Sequence, residues 1–197
     1  MEVMVDATAG HGGHACLLAD VMPPNGSLVL VDAQSEALEV ALARVSRPEL
    51  NVIGIEGNFR HLPELLRQHG FSEVDGVLFD QGLSSGDLDG ELGFSFRHDA
   101  PLDMRRGRDA TESAADLIAR LDADELSRLL LEYGEERWAA RIARRIVEAR
   151  RSEPIRRTSQ LVRLIEEAVP RRAWPRHIHV ATKSMMALRY AVNDDLG

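Results

Sequence analysis

Val3-Met4-Val5-Asp6-Ala7-Thr8-Ala9-Gly10-His11-Gly12-Gly13-His14 is the stretch on which the reading of this chain turns. A short apolar run ends in an acidic residue, small residues and glycines follow, and His14–Val21 then takes up helical spacing. Glycines permit a tight turn and a close backbone approach to a ligand, and the helix start beyond them offers unpaired N–H groups. The turn contains Gly-x-Gly, but His14 stands where a dinucleotide fingerprint has its third glycine. That weighs against a nicotinamide cofactor. A glycine turn with no ligand at all is the plainer alternative.

Working outward, Ser27–Asp32, Asn51–Glu56 and Val74–Asp80 are further β-branched or Leu-rich runs that end in polar residues. Ser35–Val45 and Pro63–His69 between them have helical spacing. Alternating strands and helices imply an α/β fold with a parallel sheet and right-handed crossovers. The carboxyl ends of its strands then share one edge, where open α/β sheets bind ligands. Four strands are few for a doubly wound sheet.

Three strand ends carry chemistry. Asp32 lies about 20 residues past the glycine turn, where a carboxylate can accept both hydroxyl hydrogens of an adenine nucleoside's ribose. The alternative is a helix cap for Ser35–Val45. Phe59, after Gly57-Asn58, can flank an adenine ring or pack in the core. Asp80 can accept a hydrogen bond from an amine, localise its lone pair and take its proton. Its alternative role is to cap the next turn.

Residues 82–110 are rich in Gly, Ser, Asp and Arg without a sustained period, and read as a long ordered loop of functional type. In it, Phe94 and Phe96 stand near Arg105, Arg106 and Arg108, so the loop can stack an extruded base and hold phosphate. Both rings can equally anchor the loop. A helical stretch follows: Asp122 caps a helix through Tyr133 that Gly134 stops, Glu135–Arg150 continues, and Thr158 caps Ser159–Val169. A last helix runs over Val180–Leu196.

The net charge of −8 conceals an asymmetry. Residues 1–136 hold 10 Lys/Arg against 26 Asp/Glu, whereas residues 137–189 hold 14 against 4. The basic segment fits a nucleic-acid partner, or an Arg-rich solvated helix face. One cysteine excludes an internal disulfide framework and a Cys-rich zinc site. His177 and His179 read as surface or packing residues, so no metal is expected. No apolar run approaches the roughly 20 residues that span a bilayer. The start lacks the basic-then-apolar order of a secretory signal. The cytoplasm is the expected compartment.

At this point the residues resemble one family closely, the MraW-type small-subunit ribosomal RNA methyltransferases H. The resemblance rests on Asp6–His14, Val31-Asp32, Gly57-Asn58-Phe59, Asp75–Asp89, Gly93–Arg105, Gly134–Ile146, Pro154–Thr158 and Ala181–Leu196, in order along most of the chain. It implies a class I, Rossmann-like methyltransferase core with an inserted all-helical domain. It implies S-adenosylmethionine as cofactor, bound by Gly12, Gly13, His14, Asp32, Phe59, Asp80 and Asp87. The family's usual residue at Asp87 is Gln, and a carboxylate cannot donate the hydrogen bond an amide can. The implied reaction is methylation of N4 of a cytidine in 16S rRNA, with Asp80 catalytic. Phe94, Phe96, Arg105 and Arg106 are the substrate-binding candidates.

The organisation expected is a core over 1–100, a helical RNA-recognition domain over 101–180, and a helix over 181–197 returning to the core. By the same resemblance, the family's segment before the first strand and its later strands have no counterpart here. The sheet edge so exposed leaves a homodimer open. A non-catalytic RNA-binding or assembly protein is the alternative from another class.

Overall fold

The computed structural model describes residues 2–45, 47–80, 82, 92–107 and 110–195. They group into two compact units. One holds Met1–Gly86 and Arg106–Asp109, and the other holds Asp87–Arg105 and Ala110–Gly197. These boundaries differ from those expected at residues 100 and 180. The last helix packs within the helical unit, and a short return segment at 106–109 belongs with the sheet.

The sheet unit contains β1 (Val3–Asp6), β2 (Ser27–Asp32), β3 (Asn51–Glu56) and β4 (Gly76–Leu78), parallel in the order β3-β2-β1-β4. Helices α1 (Gly13–Val21), α2 (Ser35–Arg44) and α3 (Leu62–Gln68) connect them. This is the Rossmann-like α/β arrangement. Alternation along β2 explains the layers. Leu28 and Leu30 pack with Ala15, Ala19, Leu38 and Ala41 of α1 and α2. Val29 and Val31 face the other way, with Val5, Ile55, Leu62 and Leu66. Both faces of β2 are therefore covered, as its unbroken apolar run requires.

β4 is shorter than the expected Val74–Asp80. Its pairing with β1 runs only over Met4–Asp6, opposite Gly76–Leu78. Asp75 instead accepts the backbone N–H of Val3 through its carboxylate at 2.7 Å.

The helical unit contains α4 (Ala114–Arg120), α5 (Ala123–Gly134), α6 (Ala139–Ala149), α7 (Thr158–Ala168) and α8 (Thr182–Asn193). On α6, Ala139, Ile142, Ala143 and Ile146 are buried at helical spacing, which leaves its arginines on the opposite face. Gly134 sits so close to α8 that a Cβ would lie 3.0 Å from Ala187 Cβ and closer still to the Lys183 carbonyl.

Asp122 caps α5 as expected, accepting N–H bonds from Asp124 and Glu125 at 2.9 and 2.8 Å. The helix ends on Glu135 in the left-handed region rather than on Gly134, and α6 restarts only at Ala139. Thr158 is not the cap of α7. Its hydroxyl accepts Ala100 N–H at 3.0 Å, and Gln160 closes the helix start by accepting Arg157 N–H at 3.0 Å. α4, capped by Ser113, lies where no particular helix was expected. Among the described residues no helix is long and apolar enough to cross a membrane.

Candidate functional site

The carboxyl edge of the sheet gathers β1, β2 and β4 ends in one place. Gly12 takes φ +82, and a Cβ there would lie 2.9 Å from the Ala41 Cα, so only glycine lets the turn pass beneath α2. At Gly10 and Gly13 the same added atom would meet nothing within 4 Å, so the space above the turn is open. Gly12 caps α1 without a side-chain acceptor. The first-turn N–H groups of that helix are therefore left for another partner.

Asp32 ties the edge together. Its Oδ2 accepts Gly10 N–H at 2.7 Å and its Oδ1 accepts Gln34 N–H at 3.0 Å. Gln34, not Asp32, occupies the cap position of α2. The cap alternative for Asp32 is thereby removed, and lone pairs remain on both oxygens.

Asp80 follows β4. Its backbone N–H donates to Thr8 Oγ1 at 2.7 Å, which fixes it beside the glycine turn. Its carboxylate lies 3.5 Å from His14 Nδ1, with the two side chains 62% and 50% exposed. The Asp80 side chain is thus largely exposed beside His14.

Asp6, at the end of β1, was not among the expected site residues. It is 1% exposed; Oδ1 accepts Thr8 N–H at 3.2 Å, and buried Oδ2 has no partner. Burial pushes its carboxyl above the usual aspartate value, opposed by the Thr8 hydrogen bond and the nearby His14, and reinforced by Asp32 and Asp80. An unanswered buried acceptor at the centre of a ligand edge marks a place for a donor. The signal was present in sequence, as an acidic strand end directly before a glycine turn.

Phe59 is half-buried. It packs on the α3-side core and meets Phe79 edge-on, with ring centroids 5.9 Å apart at 80°. Asn58 caps the short turn after β3 by accepting Arg60 N–H at 3.0 Å. Gly107, also unforeseen, approaches the Ala33 carbonyl so closely that a side chain there would collide with it. Beside it, Arg106 donates to the Gly82 carbonyl at 2.9 Å. Asp87, Gln81 and Arg108 lie outside the described residues.

The remaining candidates belong to the helical unit. Phe94 is 6% exposed and part of that unit's packing; a ring so buried cannot stack a base without leaving its neighbours. Phe96 is half-buried, with its ring 4.8 Å from that of His179. Arg105 forms a two-pronged pair with Asp103, at 2.7 and 2.8 Å. That pair holds the Asp103 carboxyl below its usual value. Among the described residues no cluster of three or more His, Cys, Asp or Glu could hold a metal.

Comparison with known proteins agrees with this geometry. The family model described as the MraW methylase family matches residues 1–197. The chain is similar to the ribosomal RNA small subunit methyltransferase H of Geobacter sulfurreducens, 48% identical over 99% of this chain and 63% of the relative. The protein of the same name from Geotalea uraniireducens is 45% identical, over 98% of this chain and 62% of the relative. That from Brevibacillus brevis is 43% identical with the same coverage. The chain thus spans a little under two thirds of the length of these curated relatives. By the family model, the motif order and the sheet-edge geometry alike, the chain belongs to the MraW methylase family.

Proposed function

We propose that this chain forms the cofactor-binding and substrate-recognition part of an S-adenosylmethionine-dependent methyltransferase that modifies N4 of a cytidine in small-subunit 16S rRNA. The observation that carries this reading is the meeting of the open glycine turn, Asp32, Asp80 and the unanswered Oδ2 of Asp6 on one sheet edge. The names of the relatives support the ribosomal substrate.

The residues present fit the cofactor. Gly10 and Gly13 border open space that can take it, Gly12 lets the turn pass beneath α2, and His14 lies beside that space. The free lone pairs of Asp32 suit ribose hydroxyls, and buried Asp6 suits a donor such as an ammonium. Phe59 would border the adenine, and Asp87 is the remaining proposed contact. When bound, S-adenosylmethionine supplies an electrophilic methyl group on a sulfonium.

The chain's own residues would do the rest. An exocyclic base amine is a poor nucleophile because its lone pair is delocalised into the ring. Asp80 would accept its N–H, localise that pair and take up the proton the amine gives up when it gains a methyl group in exchange for cleavage of the sulfonium C–S bond. Thr8 fixes the Asp80 backbone, and His14 at 3.5 Å limits where its carboxylate can turn. Phe96 and Arg105 of the helical unit, and Arg106 of the sheet unit, are the residues proposed to bind RNA, with buried Phe94 holding its own unit's packing. The helical unit, which holds residues 87–105 and 110–197, would supply RNA recognition.

Calorimetry with S-adenosylmethionine should show saturable binding that Asp32→Ala weakens about a hundredfold, since two hydrogen bonds to a charged acceptor are lost. Methyl transfer to unmodified small-subunit RNA should vanish in Asp80→Ala while cofactor binding stays detectable. A well-folded chain that takes up no cofactor would sink the reading. RNA binding without transfer, despite bound cofactor, would favour a non-catalytic role.

A further inference from the structure

Residues 168–193 hold Arg171, Arg172, Arg176, Lys183 and Arg189 and not a single Asp or Glu. The part joining α7 to α8 is compact and rich in rings. Trp174 is pinned by its indole N–H, which donates to the Val169 carbonyl at 3.1 Å. The Arg171 guanidinium lies 4.1 Å above the indole centroid. His179 follows, its ring 6.2 Å from Trp174 and 4.8 Å from Phe96. Both of its nitrogens are engaged: Nδ1 accepts Ala181 N–H at 3.2 Å, and Nε2 lies 3.4 Å from Glu166. The three rings are half-buried, whereas Arg171, Arg172, Arg176, His177 and Ile178 are exposed. Among the described residues, none of the three arginines has a carboxylate partner.

The helical unit offers a rival surface, a groove of about 380 Å³ lined by Arg141, Arg144, Arg145, Glu148, Glu167 and Ala168. Its charge is largely answered internally. Arg145 meets Glu167 at 2.6 Å and Glu148 at 3.7 Å, and Arg163 meets Glu167 at 3.0 Å. A polyanion gains less there than at the 170–179 segment, where the cations face water.

We propose that residues 170–179, with Phe96, form a docking surface for single-stranded RNA. The inference rests on the reading above that the chain acts on RNA, and it names where a strand is gripped. Ring faces held at fixed positions accept stacked bases of any sequence, and interleaved arginines follow the phosphates. Arg171 already sits over an indole, 4.1 Å from its centroid, so less freedom is lost when it meets a base or phosphate. A duplex keeps its base faces stacked on one another, so it cannot use the rings.

The test is fluorescence anisotropy of the full chain with a labelled, unstructured oligoribonucleotide of about 12 nucleotides across a salt series. The triple variant R171A/R172A/R176A should bind at least tenfold more weakly. The slope of log affinity against log salt should fall by about 2, from three lost phosphate contacts at roughly 0.7 each. Trp174→Ala should cost about tenfold. Trp174→Phe, which keeps a ring but not the bond to Val169, should retain most of the affinity and so separates stacking from folding. Wild-type binding that the triple variant reproduces in affinity and slope overturns the docking surface and leaves the RNA reading intact. A folded wild-type chain that binds no RNA overturns the RNA reading itself. Equal affinity for a duplex of the same sequence overturns the single-strand assignment.

Discussion

In the sheet unit, Asp6, Asp32 and Asp80 crowd one edge, with His14 as the basic side chain beside Asp80. In the helical unit, Asp99, Asp103, Glu112 and Glu167 each face arginine, and Asp116 pairs with Ser113. The effect on protonation runs in opposite directions. Burial raises the Asp6 carboxyl, while hydrogen bonds and arginines lower those five. Paired carboxylates hold helices and loops in place. Crowded, partly unanswered ones are unfavourable in the folded chain unless something else binds them, which is the mark of a site.

Three substitutions test that contrast, beginning with the largest effect. Gly12→Ala forces a side chain into the left-handed region against the α2 backbone, and should cost roughly 2–3 kcal/mol in a denaturant melt. A melt like that of the wild type would mean the turn shifts freely and the edge is not built on backbone.

Asp6→Asn probes the crowding. A raised folded value means the aspartate's contribution is present below its unfolded value and is lost as pH rises through the folded one. The variant should therefore melt higher than the wild type near pH 7, with the gap closing in acid. It should also bind cofactor more weakly, trading stability against function. A lower melting temperature at neutral pH would show that Asp6 is already satisfied.

Asp99→Asn probes the paired side and should move least. Hydrogen bonds from Ser159 and Arg157 lower the Asp99 carboxyl to about 2. A depressed value gives stability that is present above the unfolded value of 3.8 and lost as pH falls toward 2. The variant should lack that part of the acid transition, read by circular dichroism of the helices. An unchanged acid profile would make the pair ornamental.

Much of this was legible in sequence because each signal was local. Alternation in β2, the glycine turn and the Asp122 cap depend on residues a few positions apart. The misreadings came from partners distant along the chain. Thr158 is a good cap by composition, yet its hydroxyl serves Ala100, 58 positions away. β4 reads as a longer strand, yet among the described residues it pairs with β1 alone, and only over Met4–Asp6. The acidic strand end at Asp6 was visible before the glycine turn, but its burial is not visible in a motif. Gly107 carried no signal at all, since the Ala33 carbonyl it approaches lies far back in the chain.

That small contact at Gly107 has a consequence for biosynthesis. The sheet unit closes with residues 106–109, but the chain must first lay down 87–105, which belong to the other unit. A nascent chain leaving the ribosome therefore cannot finish its first-made unit before part of the second has emerged. The order of translation and the order of completion are interleaved, and a cut at the apparent domain boundary would leave neither piece whole.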